Sequence, residues 1–467
     1  MSVLSDIDNV LSKVKRIHMV GIGGSGMFPL AEILHAKGYK LSGSDNNESD
    51  ILKRVGKLGI PVFLGHAAEN LGDAEMVVQT AALLPNNPEI EEAKKRGIPI
   101  FSRAELFGAV SRHFDNCIAV AGTHGKTTVT SMIVHILYLT GKDPSAVIGG
   151  KLPTIDSYGR IGGSDIFVGE ACEFADTFLH LSPACSIILN VDEDHLDYFK
   201  TMDNLKASFR KFADKATRCI VYNGDDKNTL EVIDGLKKPL MISFGERPSN
   251  TWYAANINKV SNARHEFDII FKGEKKGTLK LAVPGYHNVL NALAAIAVCD
   301  YAGVSVQDSI KALESFMGAG RRFEILGRYG GVTIADDYAH HPQELKVTLQ
   351  AAKAMDYKRV WAVFQPFTYS RTYMLMDDFA DVLKIADKVV MTEIMGSREI
   401  NTYGVETSQL AAKIEGSVWF KTFEEVAKYV TDSAEEGDLI ITLGCGDIYK
   451  AAKMMCEIYE SKGISKE

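Results

Sequence analysis

"AVAGTHGKTTVTSM", residues 119–132, joins an apolar segment to a second apolar segment through a glycine turn. The first segment predicts a strand, and "TTVTSMIVHILYLTG" after the turn predicts a helix that ends at Gly141. The usual phosphate-binding loop, G-x-x-x-x-G-K-[ST], would need a glycine at Val120, five residues before Gly125. The nearest glycine is instead Gly122, so this is either a phosphate loop with a shorter glycine frame or an accidental GKT.

The strand–turn–helix setting favours the phosphate loop over a GKT on a surface turn. Backbone amides of such a loop wrap phosphates, Lys126 neutralises the β and γ oxygens, and the Thr127 hydroxyl reaches Mg²⁺. His124 either contacts phosphate or fills the turn. The predicted ATP-binding residues of this loop are Gly122, Thr123, His124, Gly125, Lys126, Thr127 and Thr128.

A second glycine cluster, "VGIGGSGM" at 20–27, also stands between a predicted strand and a predicted helix. Gly21, Gly23 and Gly26 satisfy G-x-G-x-x-G, and Asp45 lies 24 residues after Gly21, close to where a dinucleotide-binding fold places its ribose-binding acid. The glycines allow a diphosphate to approach a helix N-terminus. Such a loop binds a diphosphate, which both NAD and a UDP-sugar contain. The same pattern also occurs in a turn that is merely structural.

The alternation of strand, glycine turn and helix restarts near residues 117 and 320, which predicts parallel sheets with covering helices. Between about 240 and 283, "WYAANINKV", "EFDIIFKG" and "GTLKLAV" alternate as antiparallel strands do. We therefore expect an α/β protein of three domains in series, over 1–112, 113–318 and 319–467. The N-terminal and C-terminal domains are expected to be Rossmann-like and the central domain P-loop ATPase-like.

Composition excludes several other classes of protein. The chain has 467 residues, about three domains of ordinary size, and its net charge of −8 argues against nucleic acid as the main partner. No apolar run reaches the length of a membrane span, and the first residues lack a signal-peptide core. The seven cysteines form neither C-x-x-C nor a zinc spacing. These features predict a cytoplasmic protein.

The phosphate loop "GTHGKTT" resembles that of the Mur ligase family of peptidoglycan assembly, and the resemblance covers essentially the whole chain. The supporting stretches are "GIGGSGM", "GSD" at 43–45, "EACEFADTFLHLSP", "NVDEDHLDYF", "PGYHNVLNALAAIA", "GRRFE", "DDYAHHP", "FQPFTYSRT" and "LGCGDI". In that family Gly122 occupies the family's own glycine position. The resemblance is closest to the branch that adds L-alanine to UDP-N-acetylmuramate.

The resemblance implies a UDP-sugar, and not NAD, at the first glycine cluster. The residues expected to bind it are Gly21, Gly23, Gly24, Ser25, Gly26, Met27, Ser44, Asp45 and His66. It also implies ATP and Mg²⁺ as cofactors, and a monomer or weak homodimer.

Acidic residues follow two predicted strands of the central domain. Glu170 and Glu173 follow "DIFVG", and "NVDEDH" follows "CSIIL", so Glu173 and His195 are expected to meet at the carboxyl edge of the sheet. A lone histidine is more often structural, but this strand-end setting favours a ligand. The resemblance implies that Thr127 and Glu173 hold one Mg²⁺ and that His195 helps to hold a second. Several Mur ligases use a carbamylated lysine, and neither Lys206 nor Lys211 matches its position.

The helix start "GYHNVLNALAAIA" carries three further candidates, His287, Asn288 and Asn291. Asparagine side chains suit an adenine edge, although helix caps are commoner. The resemblance favours ATP for all three, and for Asp337. It makes Arg322 a candidate for binding the transferring phosphate. The alternative is that Arg322 is a solvated charge in a linker. The expected catalytic residues are Lys126, Glu173, His195 and Arg322.

The polar turn "DDYAHHP" and the stretch "YSRT" mark the third domain. The resemblance implies that Tyr338, His340 and Arg371 face the incoming amino acid, with Arg371 as a two-pronged grip on its carboxylate. The family commonly has histidine after "FQP", where this chain has Phe367. Cys445 is interpreted as a small packing residue.

The expected reaction therefore joins L-alanine to the carboxylate of UDP-N-acetylmuramate through an acyl phosphate. Two alternatives remain open from the sequence. One is the recycling ligase that attaches a preformed tripeptide to the same sugar, which shares "GTHGKTT". The other is a NAD-binding regulator with an ATPase module, suggested by Gly21, Gly23 and Gly26.

Overall fold

A computed structural model describes residues 6–81, 83, 86–397 and 399–467, without the side chains of Leu196 and Asp197. The chain forms two compact units. The first consists of residues 1–257, 267–280 and 289–317, and the second of residues 258–266, 281–288 and 318–467.

The first unit begins with a parallel sheet of five strands in the order β3-β2-β1-β4-β5. The strands are β1 Arg16–Val20, β2 Lys40–Asp45, β3 Val62–Leu64, β4 Met76–Gln79 and β5 Ile100–Ser102. The helices are α1 Asp6–Leu11, α2 Phe28–Ala36, α3 Asp50–Lys57, α4 Pro88–Lys95 and α5 Arg103–Ser111, with a 3-10 turn at Ala68–Leu71. The stretch "EMVVQTAALL", residues 75–84, has the composition of a strand, and β4 covers Met76–Gln79 of it, while Ala82 and Leu84 lie outside the described residues.

A second sheet has ten strands in the order β15-β14-β13-β12-β11-β10-β6-β9-β7-β8. Its strands are β6 Asn116–Ala121, β7 Ser145–Leu152, β8 Ser157–Arg160, β9 Ile166–Glu170, β10 Cys185–Ile188, β11 Cys219–Asn223, β12 Leu240–Gly245, β13 Trp252–Lys259, β14 His265–Phe271 and β15 Glu274–Lys280. Its helices are α6 Lys126–Leu139, α7 Leu196–Phe199, α8 Met202–Asp214, α9 Lys227–Ile233, α10 His287–Tyr301 and α11 Val306–Leu313. Two 3-10 turns lie at Pro153–Ile155 and Phe174–His180.

The middle of this second sheet is parallel, since β10 pairs in parallel with both β6 and β11. The phosphate-loop strand β6 is thus flanked by β10 and β9, whose carboxyl ends carry the acidic stretches. The sequence predicted that strands following one another directly replace the strand–helix alternation near 240–283. In the structure, β13, β14 and β15 are consecutive in sequence and adjacent in the sheet. Short turns join them, as in antiparallel hairpins.

The third sheet has six strands in the order β16-β17-β21-β18-β19-β20, all parallel except the edge strand β16. They are β16 Glu324–Tyr329, β17 Val332–Asp337, β18 Arg359–Phe364, β19 Lys388–Thr392, β20 Val418–Phe420 and β21 Asp438–Leu443. The helices are α12 Pro342–Lys353, α13 Tyr369–Met374, α14 Met376–Leu383, α15 Thr407–Ala411, α16 Phe423–Ser433 and α17 Tyr449–Ser461.

The central strands of all three sheets are almost continuously apolar and buried, as expected when helices cover both faces. The three α/β regions in series confirm the predicted fold class. The boundaries near 112 and 318 stay predictions. Over the part of the chain that the structure describes, no helix has the length and apolar character to cross a bilayer.

Candidate active site

The phosphate-loop sequence forms a tight turn between β6 and α6, and two of its glycines are sterically required. Gly125 caps α6 with φ +84°, and a Cβ there would lie 2.7 Å from the side-chain oxygen of Asn291. Gly122 has φ +152°, and a Cβ there would lie 2.8 Å from the Cβ of Leu189. A side chain at either position would open the turn, so both positions require glycine.

The segment after β10 holds the phosphate loop in place. The side chain of Asn190 accepts a bond from the His124 amide at 2.8 Å and donates to the His124 carbonyl at 3.1 Å. The Asp192 amide donates to the Thr123 hydroxyl at 2.9 Å. The loop is therefore fixed by backbone and side-chain bonds before any ligand arrives, as a preorganised anion site requires.

Lys126 stands at the start of α6 and pairs with Glu173. Its ammonium donates to both carboxylate oxygens, at 3.1 and 2.9 Å, and to the Gly122 carbonyl at 2.5 Å. The side chain of Glu173 is 1% exposed and that of Lys126 is 14% exposed. Burial alone would lower the pKa of Lys126, but the Glu173 carboxylate outweighs it and raises that pKa, so the amine stays charged.

Glu170 orients the hydroxyl of Thr127. The Thr127 Oγ1 donates to Glu170 Oε1 at 2.9 Å, while Glu170 Oε2 accepts the Gly149 amide at 2.8 Å. This bond fixes the direction of the Thr127 hydroxyl proton. Glu170 is the last residue of β9, at the edge predicted from the sequence, where no role was predicted for it.

Glu173, Asp194 and His195 form a group of possible metal ligands. One ligand atom from each lies within 4.8 Å of the others. His195 adopts φ +54°, and its amide bonds the Asp194 carboxylate at 2.7 Å. The predicted meeting of Glu173 and His195 is therefore present in the geometry. Asp194 was not selected from the sequence, although it stands next to His195 in "NVDEDH".

Asp176 ties together the two segments that carry these ligands. Its carboxylate accepts bonds from the hydroxyl groups of Tyr198 and Ser208, the former at 3.0 Å. Asp176 and the preceding Ala175 both have positive φ values, 58° and 50°. The Phe174 ring lies 4.9 Å from the His195 ring. These contacts fix the turn after Glu173 against the segment after His195.

The helix α10 brings one of its three candidates to the phosphate loop. Asn291 is 8% exposed and lies beside Gly125, as its approach to that glycine shows. Asn288 donates to the Pro284 carbonyl at 2.6 Å, a contact at the helix start. Burial, with smaller contributions from the nearby His265 and Arg322, lowers the pKa of His287 to about 4, so the ring is neutral near pH 7. ATP binding by these residues stays a prediction.

The first glycine loop is held by the end of β2. The amides of Gly21 and Ile22 donate to the Ser44 carbonyl at 2.8 and 3.1 Å, and the Gly23 amide donates to the Asp45 carboxylate at 3.0 Å. A Cβ on Gly23 would lie 2.9 Å from that carboxylate oxygen. Asp45 is thus close to the loop, as the spacing predicted.

Other residues expected at the UDP-sugar have buried side chains. Met27 is 1% exposed and packs in the core, and Ser44 is 0% exposed. The Ser44 hydroxyl and His66 Nδ1 both contact Glu89, at 2.7 and 3.0 Å. Of the remaining loop residues, Ser25 is exposed, and Gly24 and Gly26 are partly exposed. Sugar binding by this set stays a prediction.

In the second unit, the turn after β17 carries several titratable side chains close together. Asp337 accepts the amides of Phe323 and Ala339 at 2.7 and 2.8 Å, and burial raises its pKa to about 6. Burial also raises the pKa of Tyr338 to about 12. For His340 burial acts to lower the pKa, but Cys445 and Glu344 outweigh it and raise that pKa to about 10.

Arg322, Phe367 and Arg371 complete the candidates of the second unit. The Arg322 guanidinium lies 5.2 Å from the centroid of the Tyr338 ring. Phe367 meets His340 edge-on with ring centroids 6.2 Å apart, at the position where histidine is usual in the family. Arg371 follows β18 on the short helix α13, and its buried Nη1 has no hydrogen-bond partner among the described residues.

Three family models match consecutive parts of the chain. The Mur ligase family, catalytic domain model matches residues 16–115, and the Mur ligase middle domain model matches residues 120–299. The Mur ligase, glutamate ligase domain model matches residues 321–446. Together they include both glycine loops, the Glu173 group and the Tyr338 turn.

Full-length relatives are also similar. The UDP-N-acetylmuramate–L-alanine ligase of Caldanaerobacter subterraneus is 42% identical over 453 residues, covering 96% of this chain and 98% of that one. Among solved structures, the UDP-N-acetylmuramate-alanine ligase of Thermotoga maritima is 31% identical with a TM-score of 0.83, covering 96% and 99%. A murein peptide ligase of Psychrobacter arcticus is 25% identical with a TM-score of 0.76, over the same shares.

Proposed function

Because the chain belongs to the Mur ligase family, we propose that it is the ligase that joins L-alanine to the carboxylate of UDP-N-acetylmuramate. ATP is converted to ADP and phosphate in the reaction. The product is a precursor for peptidoglycan, so the activity belongs to cell-wall synthesis.

The chemistry needs two successive displacements. An oxygen of the sugar's carboxylate attacks the γ-phosphorus of ATP, the bond to the β-phosphate oxygen breaks, and ADP leaves an acyl phosphate behind. The neutral amine of L-alanine then attacks the acyl carbon, inorganic phosphate leaves, and the nitrogen loses a proton. No side-chain nucleophile takes part, so catalysis depends on positioning and on stabilising negative charge.

The observation that carries the proposal is the buried Lys126 beside a preorganised glycine loop. Its charge is maintained by Glu173, 2.9 Å away, and its partners include loop carbonyls. An ammonium so placed neutralises the oxygens of a transferring phosphate, and the loop amides bind the others.

The residues near Lys126 fit a magnesium ion. Glu173, Asp194 and His195 gather two carboxylates and an imidazole within 4.8 Å, and the Thr127 hydroxyl oxygen is oriented by Glu170. Magnesium favours oxygen ligands and usually keeps water and phosphate oxygens as its remaining ligands. When bound, it stabilises the charge that builds up on the phosphate oxygens. We assign Thr127 and Glu173 to one ion, and Asp194 and His195 to a second.

Each substrate has its own set of residues in this proposal. The UDP diphosphate lies against the loop of Gly21, Gly23 and Gly26, which immediately precedes the N-terminus of α2. The adenine and phosphates of ATP lie against α10 and the loop of Gly122. The carboxylate of L-alanine is held by Arg371, because a guanidinium grips a carboxylate with two parallel bonds.

A tripeptide-adding recycling ligase is the second candidate, favoured by the similarity to the murein peptide ligase of Psychrobacter arcticus. The alanine-adding relative from Thermotoga maritima has the higher identity and TM-score. The match of residues 16–115 to a Mur ligase model removes the reason to prefer NAD at the first glycine loop.

Phosphate release tests the proposal. Purified protein with ATP, Mg²⁺ and UDP-N-acetylmuramate should release phosphate at a rate that depends on L-alanine. A NAD(H) titration under the same conditions should give no binding signal. Phosphate release without any requirement for the UDP-sugar would contradict the assignment.

A further inference from the structure

Glu89, which the sequence analysis did not select, is a fully buried carboxylate in the first sheet region. Its side chain is 0% exposed. It accepts the Ser44 hydroxyl at 2.7 Å, the Asn70 amide at 2.7 Å and His66 Nδ1 at 3.0 Å. His18 Nε2 lies 3.5 Å from its other oxygen, and the His18 side chain is also 0% exposed.

These contacts keep the carboxylate charged inside the protein. Burial alone would raise the pKa of Glu89, but the nearby His18 and the bonds from Ser44 and Asn70 outweigh it and lower that pKa to about 2. The residue also stands in the first turn of α4, where the helix dipole favours negative charge. A buried anion with this many donors joins several parts of the chain: β1, β2, α4 and the loop of residues 65–70.

One of those contacts leads directly to the first glycine loop. The Ser44 hydroxyl bonds Glu89, while the Ser44 carbonyl accepts the amides of Gly21 and Ile22 at 2.8 and 3.1 Å. Ser44 is therefore the link between the buried carboxylate and the start of the loop. A shift of Ser44 would move the amides that set the loop's shape.

We propose that Glu89 is a positioning residue for the nucleotide-sugar, acting through Ser44 on the glycine loop and through His66, a residue expected from the sequence to bind the same ligand. The proposal rests on the proposed function, since it assigns the loop to the UDP-sugar. Glu89 itself is buried and contacts no substrate. Its loss should weaken binding of the UDP moiety and leave the reacting groups of the central sheet unaffected.

The experiment compares Glu89→Gln with Glu91→Gln in the full-length protein. Glu91 stands on the same helix but is exposed and pairs with Lys94. For Glu89→Gln we expect the KM for UDP-N-acetylmuramate to rise about 10- to 100-fold, as loss of charge-assisted bonds implies. The KM values for ATP and L-alanine, and kcat at saturating sugar, should change by less than about twofold. Glu91→Gln should match the wild type.

A second variant separates positioning from folding. Ser44→Ala removes the bond to Glu89 but keeps the carbonyl that holds the loop, so it should raise the same KM by a smaller factor. Calorimetry of UDP binding to each full-length variant gives a readout that does not need turnover. An unchanged KM and UDP affinity in Glu89→Gln, or an equal loss in all three KM values, would overturn the inference. A wild type that binds UDP but has no ligase activity would instead contradict the proposed function.

Discussion

Lys126 donates to both carboxylate oxygens of Glu173, at 3.1 and 2.9 Å, in a site where Glu173 is almost fully buried. The same carboxylate belongs to the candidate metal group with Asp194 and His195. The proposed phosphate-binding lysine and the candidate metal group thus share one side chain. We therefore expect phosphate binding, cation binding and the charge of Lys126 to be coupled through Glu173.

Replacing Lys126 tests that coupling first. Lys126→Ala should lower kcat by about 100-fold or more, because a donor aimed at developing negative charge is lost. It should also lower the free energy of unfolding by about 3 kcal/mol, because Glu173 is left as a buried, unpaired charge. Steady-state kinetics and urea denaturation measure the two effects.

The double variant Lys126→Met, Glu173→Gln separates stability from catalysis. Removing both charges should restore most of the stability, since a buried pair is often replaceable by uncharged groups of similar shape. Activity should stay as low as in Lys126→Ala. Recovery of activity together with stability would mean that the pair is structural only.

The metal group makes a separate prediction. Glu173→Gln, Asp194→Asn and His195→Ala should each raise the Mg²⁺ concentration for half-maximal activity, by about 10-fold or more. Glu193→Gln is the matched control, because this acid is adjacent in sequence but exposed. A Mg²⁺ titration of phosphate release measures the effect. Equal Mg²⁺ dependence in all four variants would return the three residues to structural roles.

The sequence predicted the phosphate loop well because its elements are consecutive. Strand, glycine turn and helix stand within residues 116–139, and the carboxyl-edge rule then places Glu173 and His195 nearby. The requirement for glycine at 122 and 125 becomes visible only in the packing, since Leu189 and Asn291 fill the space where side chains at these positions would lie.

Contacts between distant parts of the chain could not be predicted in the same way. Glu89 meets Ser44 across 45 positions and His66 across 23, so no local spacing indicates the cluster. Strands of three residues, such as Val62–Leu64 and Val418–Phe420, are too short to show the alternation of apolar and polar residues that predicts a strand. Asp194 was missed for another reason. The stretch "NVDEDH" contains several acidic residues, and the sequence alone does not indicate which of them the backbone brings close to Glu173 and His195.

Arg371 provides a test of the amino-acid site. Arg371→Lys should raise the KM for L-alanine by about 10-fold or more, because lysine keeps the charge but lacks the two-pronged geometry. The KM for ATP should be nearly unchanged. The buried Nη1, which has no hydrogen-bond partner among the described residues, is the donor expected to meet the carboxylate. If the KM values for L-alanine and ATP rose by the same factor, the substitution would not be acting on the amino-acid site alone.

Glu32 predicts a pH-dependent stability. It lies on α2, bonds Ser157 of β8 at 3.1 Å, and burial raises its pKa from 4.5 to about 7 against the opposing effects of Ser157 and Arg54. Since the folded state favours the protonated acid, its contribution to stability falls as pH rises from the unfolded pKa through the folded one. Glu32→Gln should therefore gain melting temperature over the wild type at about pH 8 and show a smaller difference at about pH 5. A difference independent of pH would contradict the burial argument.

The central claim is that the acceptor is L-alanine, and a competition between acceptors tests it most directly. The protein is given ATP, Mg²⁺ and UDP-N-acetylmuramate with equal concentrations of L-alanine, glycine, L-serine and the recycled tripeptide, and the UDP products are read by mass spectrometry. The account predicts that the L-alanine adduct dominates, with glycine and L-serine as slow substitutes at a site lined by Phe367. A dominant tripeptide adduct would contradict it and identify the chain as the recycling ligase.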